Sequence, residues 1–402
     1  MSDDSLNTAT AQSEQSEAQK PRPIRVLHVL TSPFLGGTER MVLRVLQHGQ
    51  TDTVRHELAV LIPGDDVPRL AEEAGAQVYR GTQQPKPLGR WKALRQLLQR
   101  EQFDIVQLYG LQADVLGRRA AKKSGAKVIS SIRSTDPWRK WFHTFLDRST
   151  AGHVDFWISN SQAGLDAMAA RQPIDRSQAA VVYNGIEPPT DEAGEGASEL
   201  RKELANQAGL TDDTDPLIFL CLANLRWMKG HHTLVRAFAQ IAEQHPEAML
   251  VLVGADSPPN VESGKTTGQE LTELAADMNI VTRVIQTGSL NRPEGHLAAA
   301  DIVVLASEHE GFPASLVEGM AHGCPLVATK VGGIPEMFVD GTHGYLVEPS
   351  AVDSLAQAML RLAKSAERRS QMGNAARDHF QEKFTVENMT RELNKIYTRL
   401  AE

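Results

Sequence analysis

The sequence predicts an α/β protein built from two doubly wound domains with a deep cleft between them. Three observations carry that expectation. Short apolar runs alternate with helix-spaced patterns along most of the chain. The alternation breaks at an acidic stretch rich in proline and glycine, EPPTDEAGEGASEL (187–200). The same alternation then begins again. Apolar strands separated by helices form parallel sheets covered on both faces.

The elements follow in order. Residues 1–22 are polar and acidic with no apolar core, so they read as a disordered tail rather than a signal peptide. IRVLHVL (24–30) is a buried strand, and 39–47 a helix with Met41, Val42, Val45 and Leu46 on one face. ELAVLI (57–62) is a strand, and Trp91, Leu94, Leu97 and Leu98 have helical spacing. DIVQLY (104–109), KVISSI (127–132), FWIS (156–159) and AVVY (180–183) complete a first domain, 23–186. Residues 187–214 form a linker region with a short helix. LIFLCLA (217–223), MLVLVG (249–254), VIQTG (284–288), DIVVLAS (301–307) and PLVATK (325–330) supply the strands of a second domain, 215–383. The last segment, 384–402, is an amphipathic helix long enough to pack back toward the first domain. In doubly wound sheets ligands bind beyond the carboxyl ends of the strands, and two such domains place the site in the cleft.

Composition narrows the function. The chain has 402 residues, a net charge of −8, 41% apolar and 23% charged residues. An acidic total argues against nucleic acid as the main partner. Cys221 and Cys324 stand alone in apolar segments, with no disulfide framework, which fits a reducing compartment. No run approaches the roughly 18 apolar residues of a membrane span. A soluble cytoplasmic protein is expected, with peripheral contact to the inner face of a membrane as an open alternative.

Several motifs fail on inspection. SGKTT (263–267) resembles the end of a phosphate-binding loop, but the required earlier glycine is Pro259. LGGTER (35–40) is not a dinucleotide fingerprint. Asp213 and Asp215 sit in a linker with no preceding strand, and His231-His232 at a helix start reads as solvated capping. No metal site is expected.

EGFPASLVE (310–318) is more informative. Ser315 and Glu318 match a capping box, with Gly323 and Pro325 ending the helix. Capping does not account for Glu310, which lies before the helix and directly after a buried strand. Gly311 lets a ligand approach the backbone, and the free N–H groups of Ala314, Ser315, Leu316 and Val317 would suit a phosphate. LANLRWMKG (222–230) ends another strand with Arg226 and Lys229, two cations able to clamp a diphosphate. Gly36-Gly37 and Gly332-Gly333, with Glu336, are further glycine loops at strand ends.

These motifs resemble glycosyltransferase family 4, of the retaining GT-B type. The E-x7-E pair is Glu310 and Glu318, and LRWMKG, VYNGIE (182–187), ISNS (158–161) and LGGTER complete the likeness over roughly residues 24–400. The resemblance implies a nucleotide-diphosphate sugar donor, most commonly a uridine diphosphate sugar, and a glycan, lipid-linked or small-molecule acceptor. It implies that Glu318 accepts hydrogen bonds from the ribose and Glu310 contacts the transferred sugar. Arg226 and Lys229 would neutralise the diphosphate, the Ala314–Val317 amides would hold the distal phosphate, and Gly37 would approach it on closure. Gly311, Phe312, Pro313 and Gly36 fall within the implied donor loops. Neither a cofactor nor a divalent metal is implied. A GT-B sugar-nucleotide epimerase and a non-catalytic sugar-nucleotide-binding subunit are the alternatives.

The chain departs from the family pattern in places. Asn224 stands where many relatives carry the clamp arginine, so the guanidinium role passes to Arg226. Gln107, Tyr109 and Arg133 stand where many carry histidines, at positions that usually face the acceptor. Arg133 would suit an anionic acceptor or a fold-internal ion pair. In PWRKWFHTFLDR (137–148), Trp138, Trp141, Phe142 and Phe145 have helical spacing. The reading favoured by that spacing is a helix packed on the core; the other is a surface meeting lipid head groups or a lipid-linked acceptor.

Overall fold

The computed structural model describes residues 22–134, 140–190, 194, 196–211, 213–261, 263–290 and 292–402. The expected tail up to residue 21, and Trp138, lie outside the described residues.

The first sheet contains β1 (Ile24–Leu30), β2 (Val54–Val60), β3 (Gln77–Val78), β4 (Ile105–Tyr109), β5 (Lys127–Ile132), β6 (Phe156–Ser159) and β7 (Ala179–Val181). Its helices are α1 (Gly37–His48), α2 (Asp66–Glu73), α3 (Pro87–Arg100), α4 (Leu111–Ser124), α5 (Trp141–Ala151) and α6 (Gln162–Ala169). All pairings are parallel, in the order β3-β2-β1-β4-β5-β6-β7. The helix α7 (Ala197–Gln207) follows, and then a second sheet of β8 (Leu217–Leu222), β9 (Ala248–Val253), β10 (Val284–Gly288), β11 (Ile302–Leu305), β12 (Leu326–Thr329) and β13 (Gly344–Val347). Its order is β10-β9-β8-β11-β12-β13, again parallel. The helices α8 (His231–Gln244), α9 (Thr267–Asp277), α10 (Glu294–Ala299), α11 (Ala314–Ala321), α12 (Ile334–Met337), α13 (Val352–Ala363) and α14 (Ala366–Lys383) accompany it, and α15 (Val386–Ala401) ends the chain.

The apolar runs are apolar because both faces of each sheet are covered. Ile218, Phe219, Met249 and Leu250 are fully buried; side chains of this size each contribute roughly 1.5–3 kcal/mol on burial. Two strands escaped the sequence reading. β3 has two residues, too few to show a period, and β13 carries only four. β2 also starts three residues before the expected position, since 54–60 replaces 57–62. Part of the expected linker belongs to the second domain: Leu204, Ala205 and Ala208 lie in the same core as β8 and β9. That body therefore starts ahead of residue 215.

The chain passes between the domains twice, and the two passages are bonded to each other. Ile186 N–H donates to the Phe384 carbonyl at 3.0 Å, and Val386 N–H to the Ile186 carbonyl at 2.9 Å. A side chain at Gly185 would put its Cβ 2.2 Å from the Thr385 carbonyl oxygen, so this close crossing requires glycine. Beyond it, α15 lies on the first domain. Its Val386, Met389, Leu393, Ile396 and Tyr397 share a core with Val26 and Leu30 of β1 and Met41 and Val45 of α1.

Candidate functional site

In both sheets the strand order reverses beside the central strand, between β1 and β4 and between β8 and β11. Such switch points leave a crevice at the strands' carboxyl ends. The loops after β8 and β11 meet there in the second domain. Lys229 Nζ lies 2.7 Å from Glu310 Oε1, and Ser307 Oγ donates to the same oxygen at 2.7 Å. The Glu310 side chain is 7% exposed and that of Lys229 23% exposed. The Glu308 N–H donates to the Met228 carbonyl, tying the loops together. Cys221 lies buried in β8 under this pair, and burial pushes its thiol up to about 12, which keeps it protonated and inert.

Two glycines let the loops come this close. A Cβ at Gly230 would fall 1.9 Å from the Ala306 carbonyl oxygen, and one at Gly332 would fall 1.9 Å from that of Glu310. Both have positive φ, 66° and 53°.

The helix α11 starts two residues earlier than the capping-box reading places it. Its N-cap is Pro313, and no side chain caps it. Ser315 is therefore inside the first turn rather than at the N-cap, and the Ser315–Glu318 capping box does not form. Proline brings no N–H of its own, so the first-turn amides of Ala314 onward are left for a ligand. The side chains of this segment do other work. Phe312 stacks on Tyr183, centroids 5.3 Å apart, and packs against Phe384, while Leu316 and Val317 are fully buried. Only backbone from Phe312, Leu316 and Val317 can serve the site. Glu318 is half-buried; burial pushes its carboxyl up, against the pull of Arg44 and Arg40 from α1 across the cleft.

The other sequence-derived residues divide. Arg226 is exposed and, among the described residues, makes no side-chain hydrogen bond or ion pair. Asn224 Oδ1 accepts from Ala255 N–H at 3.0 Å, so that side chain holds the loop after β9. His231 is buried rather than solvated: it starts α8 directly against the core. Gly36 is the N-cap of α1, again without a side-chain cap, and a Cβ on Gly37 would have nothing within 4 Å. Gly37 is thus open to approach. Gly333 packs on Gly311 and Ser161, and Glu336 crosses the cleft. Its carboxylate accepts from the N–H groups of Gln162 (2.6 Å) and Ala163 (2.8 Å) at the start of α6.

In the first domain the switch point opens into a cavity of about 640 Å³. Thr31, Ser32, Thr38, Glu39, Tyr109 and Arg133 line one part of it. The Tyr109 ring is buried and its hydroxyl lies 2.8 Å from His28 Nδ1. His28 Nε2 is 2.9 Å from His56 Nδ1, and His56 Nε2 faces two acceptors, the Gly49 carbonyl and Asn394 Oδ1, each at 3.1 Å. Two acceptors at the far end fix the direction of the chain: each imidazole donates outward, and Tyr109 donates to His28. Burial lowers His56 to about 4 and His28 well below its usual value, so both are neutral. Arg133 bonds Asn184 Oδ1, and its buried Nε has no partner. Burial lowers its pKa to about 10, which leaves it charged at neutral pH. The opposite charge facing it is Glu39, whose carboxyl burial pushes up. Glu39 was missed from the sequence, although an acidic residue two after a glycine pair at a helix start was a visible signal. Ser307, Asn184, Arg40 and Arg44 were missed because only the fold brings them to the cleft.

Two parallel-sheet Rossmann-like domains joined by a paired crossing and meeting at both switch points define the GT-B architecture. Two family models divide the chain between them: Glycosyltransferase Family 4 on residues 35–189 and Glycosyl transferases group 1 on residues 203–379. The chain belongs to the GT-B glycosyltransferases that these models describe. N-acetyl-alpha-D-glucosaminyl L-malate synthase of Bacillus anthracis is 32% identical over 195 residues, 48% of each chain. D-inositol 3-phosphate glycosyltransferase of Corynebacterium kroppenstedtii is 29% identical over 262 residues, 62% of this chain and 54% of that one. The chain thus spans about half the length of these curated relatives. HepE of Anabaena, in a crystal structure with UDP, superposes with a TM-score of 0.81 at 20% identity, covering 94% of this chain and 100% of HepE. A HepE structure with UDP-glucose gives a TM-score of 0.77 at 21% identity, covering 94% of this chain and 100% of HepE.

Proposed function

We propose that the chain moves a sugar from a nucleotide-diphosphate donor, a UDP-sugar, to an acceptor held in the first domain, with retention of anomeric configuration and without a divalent metal. The observation that carries this reading is the Lys229–Glu310 pair at the second switch point, beside the uncapped start of α11. The UDP and UDP-glucose in the HepE structures support the choice of donor.

On this reading the residues of the cleft divide the work. Glu310 holds Lys229 and Ser307 through Oε1 alone, which leaves Oε2 for a sugar hydroxyl. The Lys229 ammonium, the exposed Arg226 guanidinium and the α11 amides stabilise charge on the leaving diphosphate. Glu318 takes the ribose hydroxyls. Gly36 and Gly37 bring the start of α1 to the phosphates when the cleft closes. The leaving phosphate then assists removal of the acceptor hydroxyl proton on the same face.

The test is a binding and release experiment. A screen of sugar nucleotides by thermal shift selects a donor, and release of its nucleoside diphosphate is then measured. Lys229→Ala should weaken UDP binding at least roughly tenfold and uridine binding little. Equal losses for both ligands, or no binding across the panel, would sink the assignment.

A further inference from the structure

The helix α5 is inverted. It turns its polar residues inward and its apolar residues outward. Asp147 and Thr150 are buried and grip Arg118, which is 0% exposed: Nη1 donates to Asp147 Oδ1 at 2.6 Å and to Thr150 Oγ1 at 3.2 Å. Arg118 also lies over the Trp157 ring and donates from Nε to Ser130. The opposite face shows Trp141 at 81% exposure and Phe145 at 67%, with Phe142 and Leu146 also exposed. A buried ionic anchor holds this helix, so its aromatics are not needed to attach it. The core-packed reading of Trp141, Phe142 and Phe145 is therefore wrong. Exposed contiguous aromatics mark a contact surface.

That face is continuous with the first-domain cavity. Leu146 and His143 of α5 line the cavity together with Val115 and Leu116 of α4 and Met168 of α6. The cavity therefore has two ends. Strand ends and the start of α1 supply the polar one, at Tyr109, Glu39 and Arg133; helices supply the apolar one. The exposed face also carries Lys140 and Arg148, while the only carboxylate of α5, Asp147, is buried on Arg118. This combination of cations and aromatics matches an anionic lipid surface. Among the described residues no helix is long and apolar enough to cross a membrane.

We propose that the cavity and the outer face of α5 form one site for an amphipathic acceptor presented at an anionic membrane. Its polar head sits at Tyr109, Glu39 and Arg133. Its hydrocarbon chain leaves past Leu116 and Leu146 and enters the bilayer beside Trp141 and Phe145. This assignment of acceptor class rests on the transferase reading above, but its test needs no donor.

The full chain is sedimented with vesicles of phosphatidylcholine and phosphatidylglycerol, and with phosphatidylcholine alone. Wild-type protein should pellet with the anionic vesicles, and Trp141→Ser/Phe145→Ser should lose about tenfold in partitioning with UDP binding unchanged. Protein that stays in the supernatant, or a double variant that pellets like wild type, would overturn the membrane contact. In a second arm, octyl glucoside below its micelle concentration should raise the melting temperature where methyl glucoside does not, and Leu146→Glu should abolish that rise. Equal effects of the two glycosides, or an undiminished response in Leu146→Glu, would overturn the path of the chain. Loss of UDP binding in wild type would instead count against the donor assignment.

Discussion

At the scale of single residues, Glu310 and Lys229 constrain each other. The resting ion pair neutralises the cation that the diphosphate needs, and it holds Glu310 in place for the sugar. Glu310→Gln keeps the shape and removes the competing charge. UDP affinity should then rise about three- to tenfold, while turnover falls about 100-fold or more. Calorimetry and a product-release assay read the two separately; weaker UDP binding would mean that Glu310 orients Lys229 for the phosphate. Glu318 makes a cleaner case. Since it caps nothing, Glu318→Ala should cost about 1–3 kcal/mol of donor affinity with no drop in melting temperature. A melting loss with unchanged affinity would restore the capping role. The sequence marked both glutamates and the lysine as candidate site residues. It could not show that they pair, because Lys229 and Glu310 are 81 positions apart and meet only through the β8–β11 adjacency.

At the scale of elements, periodicity shows that a segment has two faces but not which one turns inward. For α5 the deciding partner is Arg118 on α4, 29 residues earlier, and no pattern within the helix reveals it. For α11 the Ser-x-x-Glu spacing was real, but the start of the helix was set by Pro313. The strands were the most legible elements, since full burial on both faces leaves unbroken apolar runs. For α15 the amphipathic pattern was plain, yet its polar contacts were hidden: Asn394 binds His56, and the Tyr397 hydroxyl donates to Gln107 Oε1 at 2.5 Å. These contacts imply a pH dependence. His28 and His56 have folded pKa values below their usual 6.5, that of His56 near 4. A depressed value means that the unfolded chain takes up protons first. The stabilisation is therefore complete above pH 6.5 and drains away as pH falls toward 4. The melting temperature should drop by at least roughly 2–4 °C over that window, and His28→Gln/His56→Gln should flatten the profile. An unchanged slope in the double variant would place the acid sensitivity elsewhere.

At the scale of the whole molecule, the domains are joined in two different ways. The crossing at Ile186 and Val386 is covalent and hydrogen-bonded, and the packing of Gly185 on Thr385 leaves it no slack. It can act only as a pivot. Across the cleft, beside the packing of Gly333 on Ser161, Glu336 accepts two N–H bonds at the start of α6, whose remaining cap is Ser161. A carboxylate at a helix start is favourable, by about 0.3–1 kcal/mol when exposed and up to roughly 2 when partly buried. That is enough to bias an open–closed equilibrium but not to lock it. Glu336→Ala removes the latch and leaves the pivot intact. Small-angle scattering should then show a larger radius of gyration without ligand, and UDP should bring it back toward the wild-type value by bridging the α1 and α11 starts. Because UDP must then close the cleft unaided, its affinity in the variant should fall about three- to tenfold. If neither the scattering nor the affinity changes, Glu336 is only a helix cap, and closure depends on the donor alone.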